Sequence, residues 1–284
     1  MKLHMNSAKI IITDKSSRSG ALERTTHMAI GAHPDDIEIM AVEGIMKCYH
    51  SNDLWFTGVT LTSGGGSPRG GAYKDVTDEQ MRAIRHKEQK KAAMVGEYSA
   101  QVMLDYRDYD IRDVQQKKVV RDLVMVLEKT KPGIVYTHNL ADKHDTHVAA
   151  SLRVIEAIRK MPQVHRPDSL FGCEVWRSLD WLPDRDKKML DCSPKENLKA
   201  ALLGVHDSQI SGGKRYDLAV QGRNRANATF HETLAVDSAS SLSIAMDMTP
   251  LIRGLDLDPA VWVKEKIRNF ENDVFQSIKI FTSH

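Results

Sequence analysis

The sequence has few cysteines, no excess of one charge and no long apolar run. Its three cysteines, Cys48, Cys173 and Cys192, are odd in number and far apart. This spacing argues against both a disulfide framework and a thiolate metal site, so we expect a cytoplasmic protein. Lysine and arginine together number 40, against 38 aspartate and glutamate residues. No overall field therefore attracts nucleic acid or a membrane surface, and neither is an expected partner.

Signals for membrane insertion or secretion are also scarce. No stretch approaches the ~18 consecutive apolar residues of a membrane-spanning helix. The first 24 residues contain only a short apolar run, so a signal peptide is not expected. We predict an N-terminal extension over residues 1–24 and a single domain over residues 25–284. A chain with 41% hydrophobic residues can bury the full core of such a domain. The sequence leaves open whether the protein forms a homo-oligomer.

Strand-like and helix-like segments alternate along the chain. Strands are expected at residues 28–32, 55–61, 101–104, 133–138, 171–177 and 241–248, and helices at 38–50, 77–95, 114–129, 146–160, 194–205 and 259–274. These assignments rest on hydrophobic periodicity and on start signals such as the TDEQ capping box at residues 77–80. The alternation predicts an α/β fold: a single Rossmann-like domain with a mostly parallel sheet flanked by helices.

Two polar clusters follow expected strands. GAHPDD, residues 31–36, comes directly after the first strand, and HNLADKHDTH, residues 138–147, follows the strand at 133–138. In a parallel sheet the carboxyl ends of the strands share one edge, where ligands collect. We therefore expect the two clusters to lie near each other although about a hundred residues separate them.

The spacing within the clusters suits a divalent metal. A catalytic zinc site has three protein ligands of the His and Asp/Glu type and a nearby carboxylate to accept a proton from water. His33 and Asp36 are three residues apart across a turn held by a proline, and Asp35 between them is left free. His144 and His147 fall on one face of a helix start. One of these histidines can bind the ion and the other can face a substrate.

Each cluster also has an ordinary structural interpretation. Asp35 and Asp36 could cap a helix N-terminus, and the second cluster could be a loop with exposed histidines. The glycine-rich stretch at residues 62–72 is interpreted as a mobile active-site loop, because it lacks the lysine of a phosphate-binding loop. YRDYD at residues 106–110 could line a sugar site but is interpreted as a surface turn. Trp176 could stack on a sugar face but is interpreted as a core residue. The pairing of two clusters on one edge favours the metal interpretation.

The residues of both clusters resemble the PIG-L/LmbE-like zinc-dependent N-acetylglucosaminide deacetylases. The first family motif, (P/A)-H-P-D-D, matches residues 32–36, and the second, H-x-x-H preceded by H-N-x-x-D, matches residues 138–147. A looser match is R-x-x-E-x-x-x-A, which aligns with Arg85 and the residues after it. The resemblance covers roughly residues 27–230 and implies a Rossmann-like α/β domain.

The resemblance also implies roles for individual residues. His33, Asp36 and His147 would bind Zn²⁺, or another divalent metal. Asp35 would be the general base that activates the metal-bound water. His144 would stabilise the oxyanion or protonate the leaving amine, and Arg85 would face the sugar. The family's usual second motif reads H-P-D-H, so Asp145 and Thr146 depart from it in this chain.

The implied function is hydrolytic N-deacetylation of a soluble, small-molecule N-acetylglucosamine conjugate, which releases acetate and a free amine. Two alternatives remain open at this point. One is a metal-dependent hydrolase of a non-sugar amide or ester, since a metal site does not name its substrate. The other is a non-catalytic sugar- or nucleotide-binding module. The sequence does not identify the aglycone, which is the group joined to the amino sugar.

Overall fold

One eight-stranded sheet organises the chain. In the computed structural model, which describes residues 1–282, the strand order is β1-β4-β3-β2-β5-β6-β8-β7. The strands are β1 Lys9–Ile12, β2 His27–Gly31, β3 Phe56–Thr62, β4 Ala100–Tyr106, β5 Ile134–His138, β6 Ser169–Cys173, β7 Lys187–Asp191 and β8 Leu242–Asp247. The five central strands, β4 to β6 in sheet order, are parallel.

Helices cover both faces of this sheet. They are α1 Arg18–Glu23, α2 Asp36–Met40, α3 Val42–Cys48, α4 Asp78–Val95, α5 Asp108–Arg112, α6 Lys117–Thr130, α7 Asp145–Lys160, α8 Glu196–Gly204, α9 Asp207–Ile210, α10 Tyr216–Phe230, α11 Thr249–Arg253 and α12 Pro259–Thr282. The capping box expected at the start of α4 is present, with Thr77 accepting from the Gln80 amide. The predicted fold class, an α/β domain with a mostly parallel sheet, is confirmed.

Alternating side chains of the central strands feed two separate hydrophobic clusters. Met28 and Ile30 of β2 belong to one cluster, together with residues of α6, α7 and α11. Ala29, which lies between them, belongs to the other, with residues of α2, α3 and α8. Because both faces are covered, the parallel strands are buried throughout, as the apolar runs of the sequence predict.

The structure departs from the predicted elements at the sheet edges and in five helices that were not predicted, α1, α5, α9, α10 and α11. β1, β7 and β8 pair in antiparallel fashion, and β1 and β7 are missing from the sequence prediction because they are short and only half-buried. The single helix predicted over residues 38–50 is two helices that break at Ala41, and the last helix reaches Thr282 instead of residue 274.

The N-terminal residues are part of the sheet. β1 adds an edge strand to β4, and the ring Nδ1 of His4 lies 2.6 Å from a carboxylate oxygen of the fully buried Asp122. The division at residue 24 stays a prediction. All three cysteines are buried with free thiols. Between residues 1 and 282, the helices include none that is long and apolar enough to cross a membrane.

Gly44 tests how closely α3 packs on the sheet. A Cβ atom there would lie 2.6 Å from the ring of Tyr136, whose hydroxyl is held by Glu43 at 2.6 Å. We expect Gly44→Ala to lower the free energy of unfolding by about 1–3 kcal/mol, because overpacking a filled core is costly. Gly204→Ala, where a Cβ meets open space, is the matched control in denaturant unfolding. Equal stability of the two variants would contradict this packing.

Candidate functional site

The two polar clusters meet where β2 and β5 end. These strands are parallel neighbours, so the turn after β2 and the segment after β5 leave the sheet at the same edge. His33 lies in that turn and Asp36 is the first residue of α2. His147 lies in the first turn of α7. The structure thus brings together the three residues that the sequence proposes as metal ligands.

Their donor atoms form a compact triangle. His33 Nδ1 lies 3.2 Å from Asp36 Oδ2 and 3.2 Å from His147 Nε2. Asp36 Oδ1 lies 3.4 Å from His147 Nε2. A tetrahedral zinc ion with bonds of about 2.0–2.1 Å separates its ligand atoms by roughly 3.3 Å. The donor set and its spacing therefore fit a divalent metal of this kind.

A third histidine lies behind the triangle. His138, the last residue of β5, is fully buried, and its Nε2 lies 3.3 Å from Asp36 Oδ2. Two other groups of side chains are also close enough to share an ion: Asp36, His138 and His147, and His33, His144 and His147. The Ala32 amide already donates to His138 Nε2 at 2.9 Å. His138 is therefore less available as a ligand than His33.

Carboxylates hold the outer nitrogens of both ligand histidines. His147 Nδ1 lies 3.1 Å from Asp142 Oδ2, and His33 Nε2 lies 2.7 Å from Asp108 Oδ1. Such partners fix the ring orientation and raise the basicity of a metal-binding histidine. The arrangement aims the inner nitrogens of the two rings at each other and at Asp36, as a shared ion requires.

Asp35 lies beside the triangle in an unusual backbone conformation. Its φ is +97°, outside the ordinary range of a residue with a Cβ. Its amide donates to Gln89 Oε1 at 3.2 Å, and its carboxylate Oδ2 lies 3.1 Å from Arg85 Nη2. The same guanidinium donates to the Pro34 carbonyl. Contacts from α4 thus hold Asp35 next to the donor atoms but outside the triangle.

The chain departs from the usual H-P-D-H motif at Asp145 and Thr146, but the contact of this segment with His144 uses a backbone amide. The Thr146 amide donates to His144 Nδ1 at 3.3 Å, so the proton of a neutral His144 ring lies on Nε2. The His144 ring stacks on His147 at 4.5 Å between centroids. Asp145 is exposed. Thr146 therefore helps to orient His144, while Asp145 faces solvent.

Burial and neighbouring charges shift the pKa values in the site in different directions. Burial raises the pKa of Asp35 to about 6; Arg85 opposes this rise and Asp36 adds to it. Burial would also raise the pKa of Asp36, but His147 and His138 hold it well below its usual range. Burial and the nearby His147 lower the pKa of His144. Asp35 is thus the more basic carboxylate of the pair, and His144 tends toward its neutral form.

His33, Asp35, Asp36, Asp108 and His144 form the floor of a pocket of about 370 Å³. Its walls come from segments far apart in the sequence. They include Gly64, Gly66, Ser67 and Pro68 of the glycine-rich loop, Trp176 after β6, Gln209, Lys214 and Tyr216. Arg85 also lines the pocket, as its expected role at the sugar requires.

For two stretches, the favoured interpretation of the sequence differs from the position of the residues in the structure. Asp108, in the stretch interpreted as a surface turn, contacts His33, and Trp176, interpreted as a core residue, is half-buried in the pocket wall. Asp108 could have been found by the rule used for the two clusters, because it follows β4 on the same sheet edge. Lys214 and Tyr216 carry no such signal, since they follow a loop with no recognisable motif.

The fold and the donor cluster define an α/β protein with a candidate divalent-metal centre at the carboxyl edge of its parallel strands. Residues 28–158 match the family model described as PIG-L: GlcNAc-PI de-N-acetylase. This stretch contains both motifs of the sequence analysis. The resemblance to the PIG-L/LmbE-like deacetylases is therefore confirmed by the match over residues 28–158.

Two curated proteins share this similarity. The uncharacterized deacetylase YaiS of Escherichia coli K12 is 25% identical over 158 residues, which cover 54% of this chain and 78% of that protein. A probable N-acetyl-alpha-D-glucosaminyl L-malate deacetylase 2 of Bacillus anthracis is 29% identical over 136 residues, 48% of this chain and 60% of that protein. The second match thus spans less than two thirds of its relative.

Solved structures share the fold at low identity. The N,N'-diacetylchitobiose deacetylase of Pyrococcus horikoshii aligns with a TM-score of 0.60 at 19% identity, covering 81% of this chain and 86% of that one. The 4-carboxy-2-hydroxymuconate hydratase GalB of Pseudomonas putida aligns with a TM-score of 0.60 at 18% identity, covering 79% and 96%. The fold therefore occurs with more than one chemistry and does not by itself name a reaction.

Asp142 tests whether His147 is held for a metal. We expect Asp142→Asn to weaken Zn²⁺ binding by about tenfold or more, because the charged partner of the His147 ring is lost. Competition with a chromophoric chelator measures the affinity. Asp145→Asn is the matched control, since Asp145 is exposed and three residues away. Unchanged affinity in Asp142→Asn would mean that the contact with Asp142 does not hold His147 for the ion.

Proposed function

We propose that this protein is a zinc-dependent N-deacetylase that hydrolyses the acetamide of an N-acetylglucosamine-type conjugate to acetate and a free amine. The observation that carries the proposal is the cluster of donor atoms with the Asp35 carboxylate beside it but outside it. Hydrolysis of an amide needs an electrophilic centre for the carbonyl, a base for water and a proton donor for the amine. The PIG-L family match over residues 28–158 supports the same reaction class.

In this proposal His33, Asp36 and His147 hold the metal. When bound, a divalent ion polarises a carbonyl and makes water more acidic. Asp108 and Asp142 keep the two ligand rings in orientation through their outer nitrogens. Zinc is favoured over magnesium or calcium because two of the three donors are imidazoles.

Asp35 is the general base. Its carboxylate takes the proton of the attacking water, for which a pKa raised toward neutrality is suited. Arg85 lines the pocket wall, and its guanidinium pairs with this carboxylate and holds it in place. Burial thus raises the pKa of this base, and the neighbouring Arg85 cation limits the rise.

His144 serves the tetrahedral intermediate. Because its Nδ1 accepts the Thr146 amide, a neutral ring presents Nε2–H as a donor. Such a donor stabilises charge on the former carbonyl oxygen. When the C–N bond breaks, the departing amine takes up a proton, which Asp35 can return from the water it deprotonated. We therefore assign His144 to stabilisation of the oxyanion and not to protonation of the leaving amine.

The fold is shared with a hydratase, so the experiment must identify products. A panel of soluble N-acetylglucosaminides is incubated with zinc-loaded protein and with chelator-treated protein, and acetate and primary amine are both measured. We expect equal amounts of the two products from the zinc-loaded protein alone. Loss of substrate without acetate, or turnover that chelation leaves intact, would reject a metal-dependent deacetylase.

Asp35→Asn separates the base from the ligands. We expect this variant to bind zinc as the wild type does and to lose about 10²–10⁴-fold in kcat, because the amide cannot accept the proton of water. Metal content and acetate release are measured on the same samples, with Asp145→Asn as control. Wild-type turnover by Asp35→Asn would remove Asp35 from the mechanism.

His144→Ala tests the donor to the oxyanion. We expect kcat to fall by about 10²–10³-fold with little change in KM, because the interaction forms in the transition state and not with bound substrate. Steady-state kinetics on the best substrate of the panel measure both constants. A rise in KM at constant kcat would instead assign His144 to ground-state binding.

A further inference from the structure

Lys214 holds a positive charge over the mouth of the pocket. Its ammonium lies 4.9 Å from the ring centroid of Trp176, and Tyr216 meets the same ring edge-on at 6.0 Å. Within residues 1–282 no carboxylate lies at ion-pair distance from Lys214, whereas the adjacent Arg215 is paired with Asp217 at 2.7 Å. The aromatic ring therefore positions the lysine while its charge stays uncompensated.

The turn before Lys214 is built for this position. The Lys214 amide donates to the Gln209 carbonyl at 3.0 Å. A Cβ at Gly212 would lie 1.9 Å from the Ser208 carbonyl oxygen, so only glycine fits there. Gln209 itself lines the pocket. The backbone thus fixes the start of the lysine side chain at the pocket wall.

Charge is distributed unequally between the floor and the rim. The floor carboxylates of Asp35, Asp36 and Asp108 each contact a cationic or imidazole partner. At the pocket wall, Lys214 makes no ion pair in the part of the chain that the structure describes. Lys143 and Arg177 do not line the pocket; they are exposed, and their amides share one oxygen of Asp142.

We infer that the substrate carries an anionic group, a carboxylate or a phosphate, on the side of the molecule away from the acetamide, and that Lys214 binds it. This inference rests on the proposed function and narrows its substrate class. The acetamide enters toward the donor triangle, as the proposed function requires. The anionic end then lies toward the pocket wall, where the unpaired ammonium of Lys214 attracts it.

Three matched N-acetylglucosaminides test this inference. They share one linker and end in a carboxylate, a phosphate or a neutral carboxamide. The kcat/KM of zinc-loaded protein is measured for each, and their binding to chelator-treated protein is measured by calorimetry. The proteins are the wild type, Lys214→Gln, Lys214→Arg and Lys195→Gln. Lys195 is the control because it also holds an ammonium near an aromatic ring, Tyr49, but outside the pocket.

We expect the wild type to prefer an anionic end and Lys214→Gln to reduce that preference about fivefold, chiefly through KM, as for a partly exposed ion pair. Lys214→Arg restores the preference, Lys195→Gln leaves it unchanged, and added salt weakens it. The anion whose preference falls most in Lys214→Gln, carboxylate or phosphate, is the one that the subsite takes.

The two failures are distinguishable. If the wild type turns over none of the three compounds, the proposed function fails, and the binding data still test Lys214. If the compounds are turned over or bound without preference for an anionic end, the inference is overturned. The same holds if Lys214→Gln keeps the full preference.

Discussion

The convergence of three donor atoms at the ends of two neighbouring parallel strands is the constraint on which the rest of the site depends. β2 and β5 lie side by side, so residues more than a hundred positions apart place two imidazole nitrogens and a carboxylate 3.2–3.4 Å from one another. Asp36 and the neighbouring imidazoles attract one another, but taking these polar groups out of water costs free energy. Contacts with the surrounding structure help to offset that cost.

A buried polar network behind the pocket provides part of this support. Glu38 is fully buried and accepts from Gln89 at 2.9 Å and Tyr98 at 2.7 Å, while His206 lies 3.1 Å from its other oxygen. Gln89 in turn accepts from the amide of Asp35. A strained conformation persists when its surroundings over-determine it, and this network joins α2, α4 and the segment before α9 around Asp35.

The sequence predicts the centre of the fold better than its margins. The buried strands and the two motifs have strong local signals, because apolar runs and closely spaced ligands can be recognised within a few residues. β1 and β7 depend on pairing with strands that are distant in sequence. For the same reason, a motif reveals His33, whereas Lys214 reaches the pocket only in the folded chain. Asp108 lies between these cases, since a topological rule points to it.

Anomalous diffraction at the zinc edge from crystals of the zinc-loaded protein tests the central claim most directly. The account predicts one strong peak between His33 Nδ1, Asp36 and His147 Nε2, with Asp35 outside the bonding distance. It also predicts that the peak disappears in His33→Ala at equal zinc concentration. A peak centred on His138, or one that survives in His33→Ala, would contradict the assigned ligand set and with it the role given to Asp35.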